Sequence, residues 1–210
     1  MRISSFRRLC ARAVVLMLAV SMLNGATLAP ADDAPPARIR GTITAVSPDV
    51  LTVETNSGSI LDVTLRPDTV VRAITLGSVE EIQPGRYIGT TAVPQADGTL
   101  KALEVHVFPP EMAGTGDGHR PWDLTPDSSM TNGIVGELLT SKGRMITVKY
   151  KGGGQTVVIP DGMPVVNIEP GERSLLVPGA HAMLFAEKSA DGLLTARAIS
   201  AGKDGVKPPM

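Results

Sequence analysis

Hydrophobic positions alternate with polar ones over many short segments of this chain. Residues 61–66 and 146–151 are clear examples, with apolar side chains at every second position. Period two with one apolar side is typical of half-buried β-strands. Asp97-Gly98 and Asp191-Gly192 lie between strong strand signals and predict hairpin turns. At most one helical turn is expected, at residues 78–82, so the pattern predicts an all-β protein.

The same pattern occurs twice, over residues 39–107 and 132–201. Pro84-Gly85 and Pro178-Gly179 are 94 residues apart, and Asp97 and Asp191 have the same separation. A duplicated unit predicts two similar small domains, each with five or six short strands. When such strands close into a small barrel, most of the exposed strand edges are removed. We therefore expect two tandem OB-like or SH3-like β-barrels; a pair of packed sheets is the alternative.

Breaks in the pattern set the expected domain boundaries. These are a signal peptide at 1–31, a flexible lead-in at 32–37, a first barrel at 38–108, an ordered Pro/Gly-rich connector at 109–130, a second barrel at 131–202 and a C-terminal tail at 203–210.

The first 31 residues have the composition of a signal peptide. Four arginines precede a short apolar run at 13–23, and Ala29-Pro30-Ala31 fits a cleavage site. The run is shorter than the ~20 apolar residues that a spanning helix needs. The pattern predicts export to the periplasm or the medium, and Arg7-Arg8 leaves both the general secretory and the twin-arginine routes open.

Cleavage changes the composition of the chain. It removes Cys10, the only cysteine, and leaves 16 basic and 21 acidic residues, a net charge of −5. This charge is unfavourable for a nucleic-acid partner. No second apolar run is long enough to span a membrane. Only five aromatic residues remain, so we expect aliphatic barrel cores.

Candidate binding residues cluster in the connector. His119, Arg120, Trp122 and Asp123 lie within five residues, and Trp122 is the only tryptophan. Long loops without regular structure are often functional. We expect the Trp122 ring to pack against a barrel or between the two, with Arg120 and Asp123 near the surface. A plain structural role for the cluster is the simpler interpretation, and recognition of a ligand or partner is the alternative.

No motif indicates catalysis or a cofactor. The chain has no Gly-x-Ser-x-Gly, His-Glu-x-x-His or phosphate-binding loop. His106 is expected on a solvated strand face and His181 as a half-exposed packing residue. His119 beside Asp123 could act in acid–base chemistry, but no ligand spacing predicts a metal site.

The landmark series resembles a widespread bacterial exported family of unknown function. In order, the landmarks are Val/Ile-Gly, Leu-Thr-Val, Val-Thr-Leu, Pro-Gly and Asp-Gly-Thr-Leu-x-Ala. The whole chain after the signal peptide, including residues 118–123 and 202–205, resembles a two-domain proteobacterial branch of that family. The resemblance implies OB-like barrels and export, and it brings no catalytic residues. Some relatives are labelled as metal-transporter components.

Together these observations predict a non-enzymatic binding or interaction module of the bacterial envelope. Its partner would be an envelope protein or a small ligand. The alternative is a periplasmic ligand- or metal-binding accessory protein that uses the His119 region, and an enzyme of another type is the third hypothesis. Fold alone does not identify the ligand.

Overall fold

The computed structural model describes residues 36–139 and 144–209, and these residues form an all-β structure, as the alternating pattern predicts. The predicted signal peptide at 1–31 and most of the lead-in lie outside the described residues. The strands are β1 (Ala37–Val46), β2 (Val50–Thr55), β3 (Ile60–Leu76), β4 (Tyr87–Pro94), β5 (Leu100–Val107), β6 (Gly118–Pro121), β7 (Ser129–Leu139), β8 (Arg144–Tyr150), β9 (Gly153–Ile159), β10 (Val165–Pro170), β11 (His181–Lys188) and β12 (Leu194–Gly202). Three single 3₁₀ turns connect them, one at Val79–Glu81 where a turn is expected.

The first barrel combines strands from both ends of the described chain. Antiparallel pairings run from β12 through β11, β1 and β2 to β3, and a parallel pairing of β12 with β3 closes the ring. Its interior is aliphatic, with Ile43, Leu51, Val53 and Leu184 fully buried.

The second barrel has the same strand arrangement. Antiparallel pairings join β5, β4, β7, β8 and β9, and a short parallel pairing of β5 with β9 closes it. The registers correspond as well, because Gly41 lies opposite Ala182 in the first barrel and Gly133 opposite Ile88 in the second.

The barrels therefore do not coincide with the expected ranges 38–108 and 131–202. Each takes three strands from one range and two from the other. The physical reason is that the segment after each third strand crosses over. β3 continues beyond its pairing with β2 to Leu76, and this part of it also pairs with β10. The chain then enters the neighbouring barrel, so the short links β3–β4 and β10–β11 both cross between barrels.

The β3–β10 pairing lies at the centre of the molecule. Ile74 is directly opposite Ile168, and both are nearly fully buried. A third apolar cluster surrounds this pair and fills the space between the barrels. It contains Ile74, Tyr87, Phe108, Trp122, Met130, Val166, Ile168 and Met183. The barrel interiors are aliphatic, as expected, whereas most of the aromatic residues lie between them.

The two Asp-Gly turns occupy corresponding hairpins, as predicted. Gly98 connects β4 to β5 with φ +83°, and Gly192 connects β11 to β12 with φ +88°. These left-handed conformations favour glycine. Asp97 Oδ1 accepts hydrogen bonds from the backbone N–H and the hydroxyl of Thr99, which fixes the first of these turns.

Within the described residues, none of the helical segments is long and apolar enough to cross a membrane.

Candidate functional site

The connector is held against the second barrel by a short strand. Residues 118–121 form β6, which pairs antiparallel with β7, although the Pro/Gly content predicted no regular structure through most of the connector. β6 lies at a sheet edge, where Pro121 is tolerated. The following Trp122 donates its backbone N–H to Ser128 O, and its side chain turns into the space between the barrels. The connector is therefore ordered, as expected.

Trp122 lies between the two barrels, as the sequence analysis expects. It is 9% exposed and packs in the interbarrel cluster. The guanidinium carbon of Arg38 lies 3.9 Å from the centre of its ring, and the Phe185 ring is 6.4 Å away. A cation over an indole face is a favourable electrostatic contact.

The four candidate connector residues lie in three different environments. Arg120 and Trp122 face inward and line a cavity. Asp123 lies at its rim, with its carboxylate 2.7 Å from Arg40 and 3.5 Å from Arg38. His119 is exposed, because successive strand residues point to opposite faces. Only Arg120 and Trp122 are therefore brought together in one cavity.

The interbarrel cavity has a volume of about 320 Å³. This is the lower end of the range of small-molecule sites, about 300–1,000 Å³. One part of its lining is apolar: Phe108, Trp122, Met130, Ile168 and Phe185. The polar part includes Arg38, Arg72, His106, Thr115, Arg120, Asn132 and Ser200. Strands from both barrels, β10 and the connector all contribute.

Three of the polar lining residues are arginines, and the described lining contains no acidic residue. Burial lowers the pKa of Arg72, which lies in β3 between two buried residues. Burial and the neighbouring charge of Arg38 lower the pKa of Arg120. Partial burial opposes ionisation of Asp123, yet the hydrogen bond from Arg40 and the charges of both arginines lower its pKa. The cavity wall is therefore cationic and partly desolvated.

Residues with unpaired polar atoms are concentrated around this cavity. Among the described residues, the buried side-chain nitrogen and oxygen atoms without a hydrogen-bond partner are Arg38 Nε, Trp122 Nε1 and Asn132 Oδ1. All three residues line the interbarrel cavity. Leaving such a buried group unpaired costs about 1–3 kcal/mol, so native proteins rarely collect three in one place.

His106 in the cavity wall is supported from behind by a buried carboxylate, Glu104. Glu104 is fully buried, and its Oε1 accepts hydrogen bonds from the backbone N–H (3.1 Å) and the hydroxyl (2.6 Å) of Thr91. Its Oε2 lies 3.2 Å from His106 Nδ1. The His106 ring packs edge-on against Phe108, with ring centres 5.0 Å apart. The carboxylate thus fixes the orientation of an imidazole that lines the cavity.

The expectation of a solvated face for His106 is wrong, since this residue is only 2% exposed. The alternation along β5 does place His106 on the face opposite Val105 and Val107. This face, however, is turned toward the interbarrel cavity and not toward solvent. Gly89 is the sequence signal that could have revealed this. A Cβ atom there would lie 1.8 Å from His106 Nε2 and 2.6 Å from Asn132 Oδ1. A glycine inside a strand often marks such a close approach.

The connector also covers one side of Tyr87. The Tyr87 hydroxyl donates to Thr115 O at 3.2 Å and to Asp117 Oδ1 at 3.4 Å. Burial first, and then the charge and hydrogen bond of Asp117, raise the pKa of Tyr87 to about 12. Asn132 Nδ2 donates to the same Thr115 carbonyl. One connector carbonyl therefore links a β4 residue and a β7 residue.

His119 has a separate environment on the outer face of β6. Its Nδ1 lies 2.8 Å from the hydroxyl of Thr131, and its ring stacks on Tyr150 with centres 6.4 Å apart. Burial, followed by the charge of Arg120, lowers its pKa. The described residues include no group of three histidine, cysteine, aspartate or glutamate side chains that could hold a metal ion.

Comparison with known proteins gives no relative for this arrangement: no protein-family model, no curated protein and no solved structure matches the chain.

Proposed function

We propose that this chain is an exported, non-enzymatic binding module of the bacterial envelope whose ligand occupies the interbarrel cavity. The observation that carries the proposal is that Arg38, Trp122 and Asn132, the three residues with an unpaired buried atom, all line one cavity of small-molecule size. A bound molecule would supply the missing hydrogen-bond partners. A small number of polar groups that line a mostly apolar cavity is typical of ligand sites.

The origin and location of the module are part of the same proposal. The corresponding strand orders of the two barrels support a duplicated ancestral unit, as the repeated landmarks predict. The basic start and apolar run of residues 1–31 support export to the periplasm or the medium. Mass spectrometry of the protein from its native envelope tests this part, and an N-terminus at Met1 in the mature protein contradicts it.

A thermal-shift screen tests the binding function. Small molecules are added to the chain from residue 32 onward, because a ligand that binds only the folded state raises the melting temperature. Ser200 lines the cavity and is buried, so Ser200→Met reduces the space for a ligand. Ser59→Met, at an exposed turn position, is the matched control.

The proposal expects hits whose shift is lost in Ser200→Met and kept in Ser59→Met. Native mass spectrometry and elemental analysis of protein from the envelope complete the test. A stoichiometric metal would favour a metal-binding accessory protein instead. The absence of any hit, together with protein that carries no small molecule from its native source, would contradict a ligand-binding role.

A further inference from the structure

The charge of the interbarrel cavity restricts its ligand. Arg38, Arg72 and Arg120 line it, and no described aspartate or glutamate does. Asp123 at the rim lies within ion-pairing distance of Arg38 and Arg40 only. Three guanidinium groups facing one small volume favour an anion and disfavour a cation.

Arg72 has no acidic partner in the part of the chain that the structure describes. It belongs to β3 between Val71 and Ala73, which are both buried. None of the ion pairs among the described residues includes it. A charge removed from water without a partner is destabilising. An anionic ligand would provide the counter-charge that the described protein groups do not.

Two of the three unpaired atoms indicate the same kind of ligand. Arg38 Nε and Trp122 Nε1 are donors, which require an acceptor such as a carboxylate oxygen. Asn132 Oδ1 is an acceptor, and its amide nitrogen already donates to Thr115 O. Guanidinium–carboxylate hydrogen bonds are shorter and stronger than neutral ones.

The remaining wall requires more than a bare anion. Phe108, Trp122, Phe185, Met130 and Ile168 form an apolar surface beside the arginines. Inorganic phosphate or sulfate would leave this surface without contacts. At about 320 Å³ the cavity fits a molecule of modest size, with a flat or branched apolar body.

We infer that the interbarrel cavity binds a small organic acid, with its carboxylate toward Arg72 and Arg38 and its apolar body against Trp122 and the two phenylalanines. This inference rests on the proposed binding function and adds the chemical class of the ligand to it.

Matched acid and amide probes test the inference. Benzoate, phenylacetate and octanoate are compared with benzamide, phenylacetamide and octanamide, and inorganic phosphate represents the anion alone. Binding to the chain from residue 32 onward is measured by calorimetry and by the emission of Trp122, the only tryptophan. We expect at least one acid to bind tenfold or more tightly than its amide and more tightly than phosphate.

Two variants locate the carboxylate. Arg72→Gln removes the uncompensated charge, and we expect at least a tenfold loss of acid affinity with an unchanged or higher melting temperature. Asn132→Asp introduces a like charge into the cavity and should weaken acid binding without removing the apolar wall. The control is Arg197→Gln, because Arg197 is exposed and pairs with Glu187 on the surface; its acid affinity should stay within twofold of the original.

The outcomes separate this inference from the binding function itself. Amides that bind as tightly as their acids would overturn the acid assignment and leave a neutral-ligand site in place. Acid affinity that persists in both Arg72→Gln and Asn132→Asp would likewise overturn it. If neither acids, amides nor phosphate bind or change the Trp122 emission, while the Ser200-sensitive screen still yields hits, the inference alone fails. If that screen also yields none, both fail.

Discussion

The two barrels share a strand arrangement but differ in the faces that they present to each other. Met183 and Ser200 lie on β11 and β12 of the first barrel, and Gly89 and His106 occupy the corresponding strands of the second. In the first barrel the large side chain is Met183, on the first strand of the pair. In the second barrel it is His106, on the second strand of the pair. Similar backbones can thus carry different chemistry, provided that total volume is conserved at the contact.

The polar content of these faces differs even more. In the second barrel Glu104, Thr91 and His106 form a buried hydrogen-bonded group, whereas Phe185 and Ala198 lie on the corresponding strands of the first. In addition, the Tyr87 hydroxyl of the second barrel donates a hydrogen bond to the connector carbonyl of Thr115. The four changes below test whether these differences determine the stability of the molecule, beginning with the largest expected effect.

Trp122→Ala should have the largest effect, since it removes the connector's anchor between the barrels. We expect the free energy of unfolding to fall by about 3–5 kcal/mol, as for other buried aromatic residues. Trp122→Phe, the matched control, keeps an aromatic ring beside Phe185 and should cost clearly less. Urea unfolding followed by circular dichroism measures both. Native emission that is red-shifted and freely quenched would show that the ring is not packed there.

Gly89→Ala tests the close approach that distinguishes the second barrel. Its Cβ would overlap His106 Nε2, so we expect a loss of about 3 kcal/mol in the free energy of unfolding. The double variant Gly89→Ala/His106→Ser also replaces His106 with the serine that the first barrel has at the corresponding position, Ser200. This variant should recover part of that loss. A double-mutant cycle measures the coupling. Strictly additive losses would mean that the two positions do not compete for space.

Glu104→Gln tests the buried hydrogen-bonded group. The amide oxygen still accepts from Thr91, but the charge that faces His106 is lost, so we expect a decrease of about 1 kcal/mol in the free energy of unfolding. Glu187→Gln is the matched control on the first barrel, where the carboxylate is exposed and pairs with Arg197 at 3.2 Å. It should change stability by less than about 0.5 kcal/mol. Equal effects in the two variants would contradict a special role for the buried pair.

The pH dependence of Tyr87 is the fourth test. Its folded pKa is raised to about 12, whereas an unfolded tyrosine has a pKa near 10. The contribution to stability is therefore complete below pH ~10 and declines as the pH rises toward 12. Absorbance at alkaline pH should show one of the two tyrosines titrating near 12, and that step should vanish in Tyr87→Phe. A Tyr87 that titrates near 10 would show that the connector does not shield it.

The sequence predicted the elements of this fold better than their partners. Alternation and the Asp-Gly turns identified the strands and hairpins, because both signals are local. The exchange of strands between barrels depends on whether the link after Leu76 turns back or crosses over, and the landmark pattern is the same in both cases. For this reason the pattern predicts a solvated His106, although this residue is buried and lines the interbarrel cavity.

The candidate site is only partly predictable from the sequence, because part of it also depends on the exchange of strands between the barrels. Trp122 was recognisable as an anchor, since a lone tryptophan in a Pro/Gly-rich segment needs a packing partner. Arg38 and Arg72 gave no local signal, because each sits in an ordinary strand pattern and meets the cavity only through the exchange. Asn132 likewise has no local signal, whereas the cluster of His119 with Arg120, Trp122 and Asp123 in the sequence does not place His119 in the cavity.

The crossover of β3 also determines when each barrel can form. The second barrel can close once β9, ending at Ile159, is present, but the first needs β12, which begins at Leu194. β1–β3 must therefore wait for the last strands of the chain before their ring is complete. Contacts between residues so distant in sequence slow folding. A chain leaving a ribosome or a translocation pore would keep its first three strands open until almost all of it has emerged.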